Sequence, residues 1–252
     1  MSSKPPLIFV GSRFLQKALH LTAELNGYEI LGILDHHYYG RQDSIGGAPV
    51  IGDERWLLDP ENTQAQQWLK NCVFFPANWW IGKQALSSNE LDLQKLRQDR
   101  IAILEASGAD VISLVHPSSQ PIGANSKYAD LSIGKGVFIG EYCTISTGYV
   151  TIGDYCSIVM LSNILACTTL KKNVCVAPGT FIHHCNIGND SYVGVGCRFD
   201  QPFLAQNGEY QVGENCTLWE NSRVSKDIPA NCILTHHGRI LKKQKFISKE
   251  ST

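Results

Sequence analysis

The sequence lacks an excess of charge of either sign. Its 252 residues contain 22 lysines and arginines against 23 aspartates and glutamates, which gives a formal net charge of -1. Proteins that bind nucleic acid need positive charge to neutralise phosphates, and no basic block precedes the C-terminal end of this chain. We therefore expect no nucleic-acid partner and no attraction to an anionic membrane surface.

Long apolar runs are missing as well. No stretch approaches the roughly 18 apolar residues that a membrane-spanning helix needs. The first residues, Met1 to Pro6, carry no apolar signal region. We expect a cytoplasmic protein with no membrane insertion.

Paired cysteine motifs are also absent, although the chain has nine cysteines. The number is odd and no Cys-x-x-Cys occurs, which argues against a disulfide framework. Free cysteine behaves as a small buried hydrophobe, and a reducing cytosol suits that use. We predict structural thiols.

What the chain does contain is an apolar residue at nearly every sixth position between residues 122 and 228. A period of six fits neither a helix nor an ordinary strand, so it predicts a hexapeptide-repeat solenoid. Three hexads make a coil of about 18 residues, and stacked coils pair through parallel ladders around an aliphatic column. The glycine that often follows the apolar residue suits a tight corner. The column comprises Ile133, Ile139, Ile145, Ile152, Ile158, Ile164, Leu170, Val176, Ile182, Ile187, Val193, Phe199, Val212, Leu218 and Val224.

The period is interrupted at informative places. One residue is missing after Ile182, and about seven are inserted within residues 200–211. Such an insertion must leave the coil, and loops that protrude from rigid scaffolds often carry binding residues.

The first part of the chain predicts a β-α-β unit. Leu7 to Val10 form an apolar run, residues 12–26 have a helical pattern that stops at Gly27, and residues 28–34 form a second apolar run that ends at Asp35. Such a unit predicts a parallel sheet with a right-handed connection. Residues 45–52 are predicted to be a loop that leads into a short strand, and further strands are predicted at 73–76 and 111–115, with a long helix over 89–107.

Several motifs resemble one family of enzymes. The junction Val115-His116-Pro117-Ser118, the tract from Gly46 to Gly52 and the segment Lys226-Asp227-Ile228-Pro229 are similar to those of nucleotide-sugar acetyltransferases of the sialic-acid O-acetyltransferase and UDP-4-amino-sugar N-acetyltransferase type. The resemblance covers residues 7–240. It implies a Rossmann-like α/β domain with a parallel sheet, followed by a left-handed parallel β-helix. We place a sugar-nucleotide-binding domain at 1–117, an acyltransferase domain at 118–235 and a C-terminal tail at 236–252.

The resemblance also implies an activity. It predicts direct transfer of an acetyl group from acetyl-CoA to an amino or hydroxyl group of a nucleotide-linked sugar, in surface-glycan synthesis. It further implies a homotrimer with each active site between two β-helices. The sugar, the choice between N- and O-acetylation and the acyl chain length stay open.

His183 is the predicted catalytic base. The family's histidine stands in a His-[Asp/Glu]-Cys-x-Ile-Gly motif, and this chain has His183-His184-Cys185-Asn186-Ile187-Gly188. An imidazole suits proton removal near neutral pH. His184 replaces the acidic neighbour, and it is either a substrate-binding or orienting residue or a bystander.

Other site residues follow from the resemblance. The backbone N–H groups of Gly194 and Gly196 are expected to face the oxyanion or the thioester carbonyl of CoA. Gly11, Ser12, Arg13, Asp35 and His36 are expected to bind the sugar nucleotide, although Gly11 alone keeps the family's glycine loop.

Three alternatives stay open. The altered glycine loop and His184 favour a catalytically silent member of the family that binds a sugar nucleotide or a protein partner. A β-helix that serves only as a scaffold is the second. A zinc enzyme of the γ-carbonic anhydrase kind is the third, but adjacent His183 and His184 lack the spread of three ligands that it requires.

Overall fold

The computed structural model describes residues 4–12, 16–77, 93–119, 130–146, 148–200 and 208–243. Arg13, most of the 200–211 insertion and the first hexad around Ile122 lie outside the described residues.

The N-terminal domain is built on a five-stranded sheet of order β3-β4-β2-β1-β5. Four of the strands run parallel, and the edge strand β3 pairs antiparallel with β4. Asp53 caps a short 3-10 helix, Glu54–Leu58, by accepting a hydrogen bond from the Arg55 N–H. The other elements are β1 (Leu7–Val10), α1 (Gln16–Leu25), β2 (Ile30–Leu34), β3 (Ser44–Ile45), β4 (Ala48–Gly52), α2 (Thr63–Asn71), β5 (Val73–Pro76) and α3 (Leu93–Ala106).

The predicted strand at 111–115 divides its pairing between the two domains. Val111 forms a parallel bridge with Phe74 in the α/β sheet. Three residues later, β6 (Leu114–Val115) pairs with β8 (Phe138–Ile139) of the β-helix. The chain therefore passes from one sheet to the other within one extended segment. The domain bounds given above remain predictions.

The C-terminal domain is a left-handed β-helix with three faces, whose strands pair in parallel except at the last strand of the second face. The first face contains β7 (Leu131–Ile133), β10 (Val150–Ile152), β13 (Thr168–Leu170), β16 (Cys185–Ile187) and β19 (Tyr210–Val212). The second contains β6, β8, β11 (Ser157–Ile158), β14 (Cys175–Val176), β17 (Tyr192–Val193), β20 (Thr217–Leu218), β22 (Cys232–Leu234) and β23 (Ile240–Lys242). The third contains β9 (Thr144–Ile145), β12 (Asn163–Ile164), β15 (Phe181–Ile182), β18 (Arg198–Phe199) and β21 (Arg223–Val224).

The predicted aliphatic column is confirmed as the core of the β-helix. Its members from Ile139 to Val224 are at most 4% exposed and form one continuous cluster. Most small residues of the repeat add a further bond between coils, because their side chains donate to a carbonyl of the next coil. Examples are Ser162 Oγ to Ala177 O at 3.0 Å, and Cys197 Sγ to Trp219 O at 3.0 Å. The cysteines at the small positions of the repeat are thus buried structural thiols, whereas Cys167 is partly exposed.

The glycine after the apolar residue is needed for a different reason from the predicted one. At Gly188 the backbone is not in the left-handed region, but a Cβ would lie 2.4 Å from the Glu214 nitrogen of the next coil. The left-handed conformation falls two residues further on, at Asp190, where φ is 57°. Close approach of neighbouring coils, and not the turn itself, therefore selects glycine at this position.

Helix α3 joins the two domains. Leu93 and Leu96 pack against Cys175, Ala177 and Tyr192 of the second face. The buried Arg97 donates hydrogen bonds to the Tyr155 carbonyl and the Asn173 side chain, and to Ser157 Oγ at 3.3 Å. Burial lowers the pKa of the Arg97 guanidinium.

Candidate functional site

A groove of about 750 Å³ follows the third face of the β-helix. Both predicted histidines, His183 and His184, line it. Its other lining residues are Leu165, Ala166, Phe181, Gly196, Arg198, Phe199, Asp200, Asn221, Ser222 and Arg223.

The shortened repeat after Ile182 places the two imidazoles side by side. His183 and His184 form the corner between β15 and β16, and His184 takes the left-handed conformation, with φ at 47°. The His184 N–H donates to the Ala166 carbonyl at 3.0 Å, and the His184 carbonyl accepts from Tyr210 N–H at 2.9 Å. Because the backbone is bonded to the coils on both sides, the corner is fixed and both rings are directed into the groove.

The two rings form a short hydrogen-bonded chain. Nδ1 of His183 lies 3.2 Å from Nδ1 of His184, and Nε2 of His183 lies 3.1 Å from the Phe199 carbonyl oxygen. The Phe181 ring meets the His183 ring edge-on at 5.5 Å. No carboxylate of the described residues hydrogen-bonds to either imidazole. The family's acidic neighbour is thus replaced by a second imidazole and a backbone carbonyl.

Charge in the groove is concentrated on its third-face strands. Arg198 and Arg223 are neighbours in the ladder between β18 and β21, and both are exposed. Arg223 forms an ion pair with Asp200. With two guanidinium groups against one carboxylate, these three side chains carry a net positive charge beside the histidines.

The predicted oxyanion donors are engaged elsewhere. The Gly194 N–H donates to the Leu218 carbonyl at 2.9 Å, and the Gly196 N–H donates to the Pro178 carbonyl at 3.0 Å. Both hydrogen bonds belong to the stacking of coils, and the role of these amides at a thioester carbonyl stays a prediction. Gly196 does line the groove, at a corner with φ 68°.

The α/β domain places Gly11, Ser12, Asp35 and His36 together at the ends of β1 and β2. The Asp35 carboxylate, however, is only 1% exposed. It accepts hydrogen bonds from Ser12 N and Oγ at 2.9 and 2.7 Å, and it pairs with Arg100 at 2.9 Å. Its oxygens are therefore bound to protein groups, and the role of Asp35 in binding the sugar nucleotide stays a prediction. His36 remains partly exposed.

Two residues of this cluster were missed at the level of sequence. Glu54 Oε1 accepts from Arg100 Nε at 2.6 Å and lies 2.7 Å from His36 Nδ1. Arg100 and Arg97 occupy positions on the apolar face of α3, with Leu93, Leu96, Ile101 and Leu104. A charged side chain at an apolar position of a helix was the available signal, because burial of a charge requires a partner.

One group among the described residues has ligand atoms close enough for a metal ion, namely Asp35, His36 and Glu54. The Arg100 guanidinium already binds both carboxylates of this group. The groove histidines have no third such ligand in the described part of the chain.

The chain thus combines an α/β domain, joined through α3, with a left-handed β-helix that carries a histidine pair in a groove. No family model and no curated protein matches the sequence. The acetyltransferase domain of PglB from Neisseria gonorrhoeae FA1090, solved with acetyl coenzyme A, shares 20% identity at a TM-score of 0.70, over 92% of this chain and 96% of that one.

Two further solved structures are similar over nearly their whole length. A mutant of GDP-perosamine N-acetyl transferase from Caulobacter crescentus, in complex with CoA and GDP-perosamine, shares 18% identity at a TM-score of 0.73, over 94% of this chain and 96% of that one. WeeI from Acinetobacter baumannii AYE shares 15% identity at a TM-score of 0.71, over 94% of this chain and 99% of that one. These likenesses confirm the predicted fold. Among the described residues, none of the helices has the length and apolar character to cross a membrane.

Proposed function

We propose that this protein is an acetyl-CoA-dependent acetyltransferase that acts on an amino or hydroxyl group of a nucleotide-linked sugar. The observation that carries the proposal is the pair His183 and His184 in the groove of a β-helix whose fold matches acetyltransferases solved with CoA. The proposed setting is cytoplasmic surface-glycan synthesis, by a homotrimer. The positive rim formed by Arg198 and Arg223 suits substrates that carry phosphate groups.

The proposed reaction is a direct transfer within a ternary complex. The acceptor nitrogen or oxygen attacks the thioester carbonyl, the new bond to the acetyl carbon forms, and the carbon–sulfur bond breaks. The imidazole pair removes the proton of the acceptor and returns a proton to the thiolate of CoA. Positioned general-base help of this kind is typically worth about 10² to 10⁴ in rate.

A silent sugar-nucleotide or partner-binding protein remains the second candidate. It is favoured by the amides of Gly194 and Gly196, which donate to carbonyls of neighbouring coils. These amides are the groups that the resemblance assigns to the acetyl donor.

The test is thiol release from acetyl-CoA with a panel of nucleotide-linked amino sugars. We expect turnover by the wild type and a loss of about 10² or more in the double variant His183→Ala/His184→Ala, with folding checked by thermal midpoint and oligomeric state. Saturation with acetyl-CoA at about 100 times its dissociation constant should stabilise the fold by about 2.7 kcal/mol. Absence of both turnover and stabilisation would favour the silent binder.

A further inference from the structure

The hydrogen bonds of the histidine pair determine which ring nitrogens carry protons. The Phe199 carbonyl can only accept, so Nε2 of His183, at 3.1 Å, must be the donor. A neutral His183 then has its lone pair on Nδ1. Because Nδ1 of His184 lies 3.2 Å from that atom, His184 must donate through its own Nδ1–H.

This arrangement leaves one basic nitrogen in the neutral pair, Nε2 of His184. The other three ring nitrogens are used, two in the bond between the rings and one in the bond to Phe199. Within the described part of the chain, His184 Nε2 has no hydrogen-bond partner, and His184 lines the groove. The atom that is open to an incoming acceptor therefore belongs to His184 and not to His183.

We infer that Nε2 of His184 receives the proton of the acceptor and that His183 is a positioning residue. The inference rests on the proposed function and specifies its base. As the acceptor bonds to the acetyl carbon, its proton moves to Nε2 of His184, and the electrons of the breaking carbon–sulfur bond leave with sulfur. The proton between the rings is then shared with Nδ1 of His183, which spreads the positive charge over both imidazoles. The imidazole pair becomes neutral again when Nε2–H of His184 gives its proton to the thiolate of CoA.

The Phe199 carbonyl completes this arrangement. Its oxygen faces the Nε2–H of His183, so its dipole favours a positive charge on the pair, a role that a carboxylate plays in many histidine bases. The other charged groups of the groove are Arg198, Arg223 and Asp200, and none of them hydrogen-bonds to either imidazole among the described residues.

Two asparagine variants separate the roles of the rings. In His184→Asn the amide NH₂ can still donate to Nδ1 of His183, but the proton acceptor is lost. Asparagine also tolerates the left-handed backbone at this position, where φ is 47°. In His183→Asn the amide oxygen can still accept from Nδ1–H of His184, so the base keeps its orientation.

We expect kcat of His184→Asn to fall by about 10² or more with little change in KM. His183→Asn should stay within about tenfold of the wild type, and His183→Ala should be weaker than His183→Asn because it offers no acceptor. The reverse order, with His183→Asn the severe variant, would assign the base to His183 and overturn the inference. So would two mild asparagine variants of an active enzyme.

A measurement independent of turnover reads the protons directly. Nitrogen-15 NMR of the histidine rings, at a pH where both are neutral, should find His183 protonated on Nε2 and His184 protonated on Nδ1. His184 protonated on Nε2 would contradict the assignment even in an active enzyme. Lack of thiol release by the wild type with the expected tautomers would instead refute the proposed function and leave the geometry intact.

Discussion

Arg100 holds the end of the α/β sheet together, and its removal should be costly. Its guanidinium pairs with Asp35 at 2.9 Å and with Glu54 at 2.6 Å, and all three side chains are 1% exposed. Arg100→Ala would leave two carboxylates buried without their cation. Loss of one partner from a buried ion pair typically costs about 3–5 kcal/mol.

The same helix offers a matched control. Lys95 pairs with Asp99 one turn away, with side chains 64% and 51% exposed, and exposed pairs are worth about 0–1 kcal/mol. For a chain of this size 1 kcal/mol corresponds to about 2–4 °C in Tm. Calorimetry should therefore find the Tm of Arg100→Ala about 6–20 °C below that of the wild type, and the Tm of Lys95→Ala at most about 4 °C below it.

The stability that Arg100 contributes should decrease as the pH falls. Burial alone would raise the pKa of Glu54, but the Arg100 guanidinium and the hydrogen bonds from Arg100 and His36 more than offset it and lower the pKa. A lowered pKa contributes stability that is present above the ordinary glutamate value of about 4.3 and is lost as pH falls through the lowered value. The difference in unfolding free energy between wild type and Arg100→Ala should therefore be largest near neutral pH and should decrease in acid. A loss of stability in Arg100→Ala no larger than that in Lys95→Ala, or a loss that increases in acid, would refute this account.

Two further predictions concern the β-helix. Gly188→Ala should destabilise the folded protein by about 1–3 kcal/mol, because the new Cβ would lie 2.4 Å from a backbone nitrogen. The control is Gly148→Ala, whose Cβ would have its nearest contact at 3.6 Å and which should change stability by about 0.5 kcal/mol or less. Equal thermal midpoints for the two variants would contradict the close-approach argument. Burial raises the pKa of Cys156 to about 12 and that of Cys175 to about 11. A thiol reagent at mildly alkaline pH should therefore modify the native protein chiefly at the partly exposed Cys167. After unfolding it should modify all nine cysteines. Rapid labelling of Cys156 in the native state would show that the coils open.

The β-helix could be predicted from the sequence because its core repeats along the chain. Each aliphatic residue meets its counterpart about one coil away, so the period alone indicates the contact. The role of glycine was less visible, since the pattern shows that a side chain is absent but not which neighbour excludes it. Gly188 is limited by Glu214, which belongs to the next coil.

The polar network of the α/β domain could not be predicted in the same way. Asp35, Glu54 and Arg100 come from three elements that no sequence period connects, and their contact depends on how α3 packs. The histidine motif was visible because its residues are adjacent. Its chemistry was not, since the tautomers depend on the Phe199 carbonyl of a neighbouring coil.

The last strand of the second face runs against the direction of its neighbours. All pairs of this face from β6 to β22 are parallel, whereas β23 turns back and pairs antiparallel with β22. A parallel coil with an open end is a template on which another chain can continue the ladder. The reversed strand, with exposed Leu241 and Lys242 and the adjoining Lys243, presents a different hydrogen-bonding direction and added positive charge at that edge. Within the described residues, the second face therefore ends on a strand that does not continue its parallel ladder.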